Sequence, residues 1–309
     1  MDTTTLGRTG MQVAPVSFGT APLGQLFGPV PEERGAAVVA EAIDLGITFF
    51  DTSPYYGDAE ERLGRALKGR RDRVLIGTKA GRNPGEVFDF SPTAIRRSVE
   101  ESLRRLRTDH VDVLQLHDIE FVDLGPVLTD GYETLVALRD EGKCLAIGMT
   151  GYSLATARRV IAETDCDVFL NFGHGTLLDG SLSSLGDLAR SNGVALVNAA
   201  AVALGLLTPA VRRYADEGHM APTGVVQAAL RMSEVCEEAG ASISFLANQY
   251  AIQRGGAVTT VIGTTTSVHL REAVEAATTT IDEELLAAVL ALRPDPAEAQ
   301  WDIGLPENS

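Results

Sequence analysis

The chain has 309 residues, 45% hydrophobic and 22% charged, an ordinary globular balance that supports a large core. Its formal net charge of −16 at pH 7 argues against nucleic acid or an anionic membrane as partner, since both need a basic face. Three scattered cysteines, Cys144, Cys166 and Cys236, without CxxC spacing, suggest neither a disulfide framework nor a zinc site.

The first segment, TTTLGRTGMQV, sets the turn residues Gly7 to Gly10 between two β-prone pieces and reads as a hairpin. The amino end lacks the basic and apolar regions of a signal peptide. Residues 194 to 207, the most apolar stretch, are too few to span a bilayer. A cytoplasmic protein is expected, with a small molecule as partner, and a homo-oligomer stays open.

Apolar or β-branched runs then alternate with longer segments of helical period, as in a parallel sheet with crossover helices. The predicted strands are PVSFG (15 to 19), ITFFD (47 to 51), RVLIGTK (73 to 79) and VDVLQLH (111 to 117). They continue with CLAIGMT (144 to 150), DVFLN (167 to 171), VALVNA (194 to 199) and AVTTVIG (257 to 263). GRALKGRR at 64 to 71 is no phosphate loop, and Gly69 reads as a helix stop. In SPTAIRRSVEESLRRL, Ser91 is a plausible N-cap, Pro92 occupies the first turn, and Ile95, Val99, Leu103 and Leu106 recur on one face. Eight strands is the count of a (β/α)8 TIM barrel, an α/β fold. With no linker to cut at, residues 1–309 are expected to form one barrel domain whose tail is 294–309. Trp301 suggests that this tail packs on something.

Three successive predicted strands end in ionisable residues, Asp51, Lys79 and His117. In a barrel the carboxyl ends of neighbouring strands converge on one rim, where active sites are built. Tyr56 lies in the loop leaving the same rim, with Gly57 allowing a sharp turn. Singly, each has a plain structural explanation: a turn-forming aspartate, a snorkelling lysine, a satisfied buried histidine. Together they suggest proton transfer. An ammonium at Lys79, held by Asp51, is expected to lower the Tyr56 pKa, and His117 to donate or accept a hydrogen bond at a substrate oxygen. A proton passed at an oxygen whose carbon exchanges a hydride requires a redox cofactor. Tyr55 reads as pocket wall, and His110, before its strand, belongs to the opposite face. The five histidines form no HxH pair, so no metal is expected. GTTTS at 263 to 267, leading into VHLREAVEAA, offers a helix amino end for a dinucleotide phosphate.

DTSPYYG with AEERLG after it, GTK, and LQLHDIE closely resemble the aldo-keto reductases, and the resemblance runs from LGRTGMQV to VIGTTTSVHLREAV. It implies a barrel that binds a nicotinamide cofactor without a Rossmann domain. It also implies a catalytic tetrad of Asp51, Tyr56, Lys79 and His117, with substrate held by Tyr55, Tyr56 and His117. The implied cofactor contacts are Gly19, Thr20, Asp51, Thr150, Asn171, Leu204, Gly205, Gly263, Thr264, Thr265, His269 and Glu272. Some depart from the family pattern. Thr150-Gly151 replaces a Ser-Asn pair, Asn171 a glutamine, Ala199 a stacking tyrosine, and Ala273 an asparagine. Where NADP-dependent members usually carry Lys and Arg, this chain has Gly263 and His269, which implies NAD rather than NADP unless Arg271 turns inward. HDIEF, GKCLAIGMTGYSL and LGLLTP resemble the sugar-oxidising L-galactose and L-fucose (aldose 1-) dehydrogenases most. NAD-dependent oxidation of an aldose at C1 to the lactone is therefore expected. The alternatives are a reductase or dehydrogenase of another aldehyde such as pyridoxal, with Phe27, Phe88, Phe90 and Phe121 as an apolar wall, and a non-catalytic redox-sensing barrel.

Overall fold

Strand side chains alternate between faces, and in Phe49, Phe50, Asp51 that alternation decides where the acid goes. The computed structural model describes residues 1–295, 298, 301 and 303–308. An antiparallel hairpin comes first, β1 (Thr4–Thr5) with β2 (Gln12–Val13). Barrel strands β3 (Val16–Gly19), β4 (Phe49–Asp51) and β5 (Leu75–Ala80) follow. A second hairpin, β6 (Arg82–Asn83) with β7 (Val87–Phe88), leaves the rim just after β5. Strands β8 (Val111–Leu116), β9 (Cys144–Gly151), β10 (Val168–Phe172), β11 (Ala195–Ala199) and β12 (Thr259–Gly263) complete the set. They close in the order β10, β11, β12, β3, β4, β5, β8, β9, every pair parallel. All carboxyl ends therefore meet at one rim of a TIM barrel.

Two apolar layers hold the barrel. Inside lie Phe49, Val113, Val168, Leu170 and Val197, with Leu6 and Val13 of the hairpin beneath them. Outside, Phe18, Phe50, Ile76, Leu114 and Phe169 pack against the helices. Each such side chain stabilises the fold by roughly 1.5–3 kcal/mol. Helix Pro92–Leu106 is typical: the Ser91 hydroxyl accepts from the Ala94 N–H at 3.3 Å, and Ile95, Val99, Leu103 and Leu106 are its buried stripe. The connection from β11 to β12 carries three helices, Val211–Glu217, Thr223–Glu238 and Ile243–Gln253, which share a separate apolar cluster with Leu177 and Leu206.

Element boundaries differ slightly from expectation. Arg73 belongs to a short 3-10 turn rather than to β5, His117 lies just beyond β8, and β10 runs on to Phe172. The β6–β7 hairpin had no sequence signal, because each strand is two residues long. Trp301 does pack. Its ring stacks on Tyr152 with centroids 5.9 Å apart, and the Trp301 backbone N–H donates to the Tyr152 hydroxyl at 2.9 Å. Further on, Leu305 N–H donates to the Glu120 carbonyl at 2.8 Å, and the Asn308 amide to the same oxygen at 2.9 Å. Tail positions 296, 297, 299, 300, 302 and 309 lie outside the described residues.

Candidate active site

Phe49 faces the barrel interior and Phe50 the helices, so Asp51 points inward at the rim. The same parity runs from Gly77 to Lys79 and from Val113 to His117. Register completes the placement: Asp51 lies beside Gly77, Lys79 beside Gln115, and His117 N–H donates to the Ala80 carbonyl at 2.9 Å. Lys79 Nζ donates to both Asp51 oxygens at 2.7 Å and to the Thr52 carbonyl at 2.9 Å. Both side chains are buried. Burial pushes the Asp51 carboxyl up, and the Lys79 ammonium opposes it.

Tyr56 reaches this pair from a tight turn in which its N–H donates to the Ser53 carbonyl at 3.0 Å. Gly57 makes the turn possible: its φ is +58°, and a Cβ there would fall 2.4 Å from the Gly24 carbonyl oxygen. The Tyr56 ring lies 4.9 Å from Lys79 Nζ and edge-on to His117 at 5.6 Å. Burial holds the Tyr56 hydroxyl well above its ordinary pKa, with the negative charges of Asp51 and Asp118 adding. The expected lowering by Lys79 is thus overturned. All three of that ammonium's hydrogens are engaged by Asp51 and Thr52, and the Asp51 carboxylate offsets its charge.

His117 Nδ1 lies 3.0 Å from the Ser53 hydroxyl, and Nε2 lies 3.6 Å from Asp118 Oδ2. Burial pushes the imidazole down to about 3; Asp118 opposes this and the Lys79 and Arg82 charges assist it. The ring is neutral at physiological pH.

Sequence reasoning missed Asp118, Arg82, Ser53 and Glu120. Asp118 adopts φ +51°, takes the Thr150 hydroxyl on Oδ1 at 2.9 Å, and pairs through Oδ2 with Arg82. Arg82 also donates to the Tyr55 hydroxyl at 3.0 Å and to Glu86 at 2.6 Å, with its guanidinium 3.9 Å over the Tyr55 ring. Tyr55 is therefore part of a charged network rather than plain wall. The β6–β7 hairpin that brings Arg82 and Glu86 here is the element the sequence did not signal; Asp118 could have been noticed as a second acid next to His117. Of the four phenylalanines, Phe88 and Phe121 stack at 4.9 Å beside Arg82, and Phe27 is exposed. Phe90 is in the core against Gly81, so it is not pocket wall.

The expected cofactor positions gather along the remaining rim. Gly19 and Gly263 are register neighbours on β3 and β12, and Thr20 N–H donates to the Asp51 carbonyl at 2.9 Å. Thr150, next to last in β9, accepts from the Asp118 N–H and donates to its Oδ1, both at 2.9 Å. Asn171 donates to the carbonyls of Gly151 at 2.9 Å and Tyr152 at 2.7 Å, and its buried Oδ1 has no partner among the described residues. Leu204 and Gly205 have φ of +52° and +96°. Thr264 Oγ1 accepts from the Thr266 N–H at 3.1 Å; Thr265 is half-buried beside it, and His269 and Glu272 are exposed on helix Ser267–Ala276. Arg271 is turned away, its Nε donating to Glu41 Oε1 at 2.5 Å.

A barrel that brings an ion-paired lysine, a phenol and a neutral imidazole to its carboxyl rim has the means to move a proton at a carbonyl or alcohol oxygen. The Aldo/keto reductase family profile matches residues 15–293, and the chain belongs to that family of oxidoreductases. It is 36% identical over 315 residues to L-galactose dehydrogenase of Arabidopsis thaliana, covering 98% of each chain. It is 30% identical to Pyridoxal 4-dehydrogenase of Microbacterium luteolum, over 86% of this chain and 90% of that one. Identity to D-threo-aldose 1-dehydrogenase of a Pseudomonas species is 28%, over 93% and 96%. Among solved structures, the holo form of aldo-keto reductase AKR11C1 from Bacillus halodurans shares the fold, with TM-score 0.79 at 24% identity over 95% and 97% of the two chains.

Proposed function

We propose that this protein is an NAD-dependent dehydrogenase that oxidises the anomeric carbon of an aldose hemiacetal, of L-galactose or L-fucose type, to its lactone. The observation that carries the reading is the grouping of Tyr56 with neutral His117 and the Asp51–Lys79 pair at one rim. Relatives that oxidise sugars support the substrate class.

The rim suits a nicotinamide cofactor, since the unpartnered Asn171 Oδ1 is a buried acceptor fit for a carboxamide N–H. Gly19, Thr20, Thr150, Asn171, Leu204, Gly205, Gly263, Thr264, Thr265, His269 and Glu272 are the residues assigned to hold it, with the amino end of helix Ser267–Ala276 toward its phosphates. When bound, the cofactor supplies the hydride acceptor. Tyr56, once ionised, takes the C1 hydroxyl proton. His117 hydrogen-bonds the same oxygen and fixes its direction, while Asp51 anchors Lys79 beneath the phenol. NAD is favoured because Gly263 and His269 stand where a 2′-phosphate would want cations, and Arg271 is engaged by Glu41.

A second reading, oxidation or reduction of an aromatic aldehyde such as pyridoxal, has the Phe88–Phe121 stack and the pyridoxal-oxidising relative in its favour. Absorbance of reduced nicotinamide separates them, with NAD and NADP in parallel over L-galactose, L-fucose, D-arabinose and pyridoxal, and Tyr56→Phe as blank. NAD-linked sugar oxidation that vanishes in the blank is the expected result. Pyridoxal turnover with inert sugars would favour the second reading, and no turnover with any substrate would leave a cofactor-binding barrel without catalysis.

A further inference from the structure

His117 can present either an N–H or a lone pair to a substrate oxygen, and its two neighbours decide which. Behind the ring, the Ser53 side chain is fully buried, and its Oγ has two partners: it accepts from the Tyr55 N–H at 3.1 Å and lies 3.0 Å from His117 Nδ1. A hydroxyl has one proton. If Nδ1 carried the imidazole hydrogen, Ser53 would accept twice, and its own hydrogen would be left with no acceptor among the described residues. Leaving a buried donor unmet costs about 1–3 kcal/mol. If Nδ1 is bare, Ser53 donates to it and the buried hydroxyl hydrogen is used, while the ring's own hydrogen moves to Nε2, the side turned to Asp118 and the substrate position. In front, Asp118 Oδ2 lies 3.6 Å from Nε2. That carboxylate attracts an N–H there and repels a lone pair.

We infer that Ser53 is a positioning residue that holds His117 in the Nε2–H tautomer, with Asp118 favouring the same state from the other side. His117 then meets the substrate oxygen only as a hydrogen-bond donor, and proton exchange falls to Tyr56. The kinetic part of this inference rests on the proposed dehydrogenase reaction; the tautomer does not.

Long-range proton–nitrogen NMR on the full chain with 15N-labelled histidine tests it directly. The chain has five histidines, and His117→Gln assigns the relevant signal by its loss. At neutral pH the native protein is expected to show His117 protonated on Nε2. Ser53→Ala should shift the ring toward a mixture with Nδ1–H, and lower kcat on the aldose roughly tenfold or more. Ser53→Thr, which keeps the hydroxyl, should restore both. An Nδ1–H ring in the native protein would overturn the inference whether or not the alanine variant folds. So would an unchanged Nε2–H signal in Ser53→Ala. Should aldoses prove inert while the native ring is Nε2–H, the substrate assignment falls and the role of Ser53 stands.

Discussion

Asp51 takes the Lys79 ammonium with both carboxylate oxygens at 2.7 Å, inside a barrel wall where neither side chain is more than 5% exposed. Removing one partner of a buried pair leaves an uncompensated charge, which costs roughly 3–5 kcal/mol. Asp51→Asn is expected to lose about that much stability in urea unfolding. The double variant Asp51→Leu/Lys79→Met should lose less than Asp51→Asn, because no charge is stranded. Activity should be absent in both.

The proposed acid–base role of Tyr56 carries an expected pH dependence. Its hydroxyl is held well above the ordinary phenol value, so at neutral pH it carries its proton and only a small fraction is a competent base. Oxidation should therefore rise steadily with pH across the neutral and alkaline range, and aldehyde reduction, which needs the proton, should not. Initial rates in both directions from pH 6 to 10 check this. A flat oxidation profile would mean that another group takes the proton.

Glu120 gives a stability change of predictable sign. Burial pushes its carboxyl up from 4.5 to about 8, with Asp118 adding, while the Tyr152 N–H, donating to Oε1 at 2.7 Å, opposes. Between these values the folded state binds more protons than the unfolded chain, so stability is full below 4.5 and declines as pH rises through about 8. Glu120→Gln keeps the acceptor for Tyr152 and cannot ionise. Its thermal midpoint should match the native protein near pH 5 and exceed it near pH 9, by an amount equivalent to roughly 1–3 kcal/mol.

Arg271, near the loop proposed to hold the cofactor phosphates, pairs with Glu41. Glu41→Ala should release it and raise the preference for NADP over NAD several-fold in kcat/KM, since a free guanidinium can pair with a 2′-phosphate. Dinucleotide titrations followed by protein fluorescence would show the same shift in affinity without turnover. No change in the ratio would mean that Arg271 does not reach the phosphate.

The barrel and the grouping of Asp51, Lys79 and His117 at its rim were legible in the chain because both follow from local rules. Alternation in FFD, LIGTK and VDVLQLH places Asp51, Lys79 and His117 on inward positions, and parallel order brings strand ends together. Ser91 as a cap and Trp301 as a packing residue were likewise readable from residue type. What the letters could not supply were facts that depend on distance between remote segments and on burial. Burial, with the negative charges of Asp51 and Asp118 adding, raises Tyr56 rather than lowering it. Arg82 arrives on a hairpin of two-residue strands, Arg271 turns to a helix 230 positions away, and the tail settles on Glu120. Residue type and spacing determine which groups reach the rim. Their protonation and pairing depend on dielectric and contact geometry, which exist only once the chain has closed on itself.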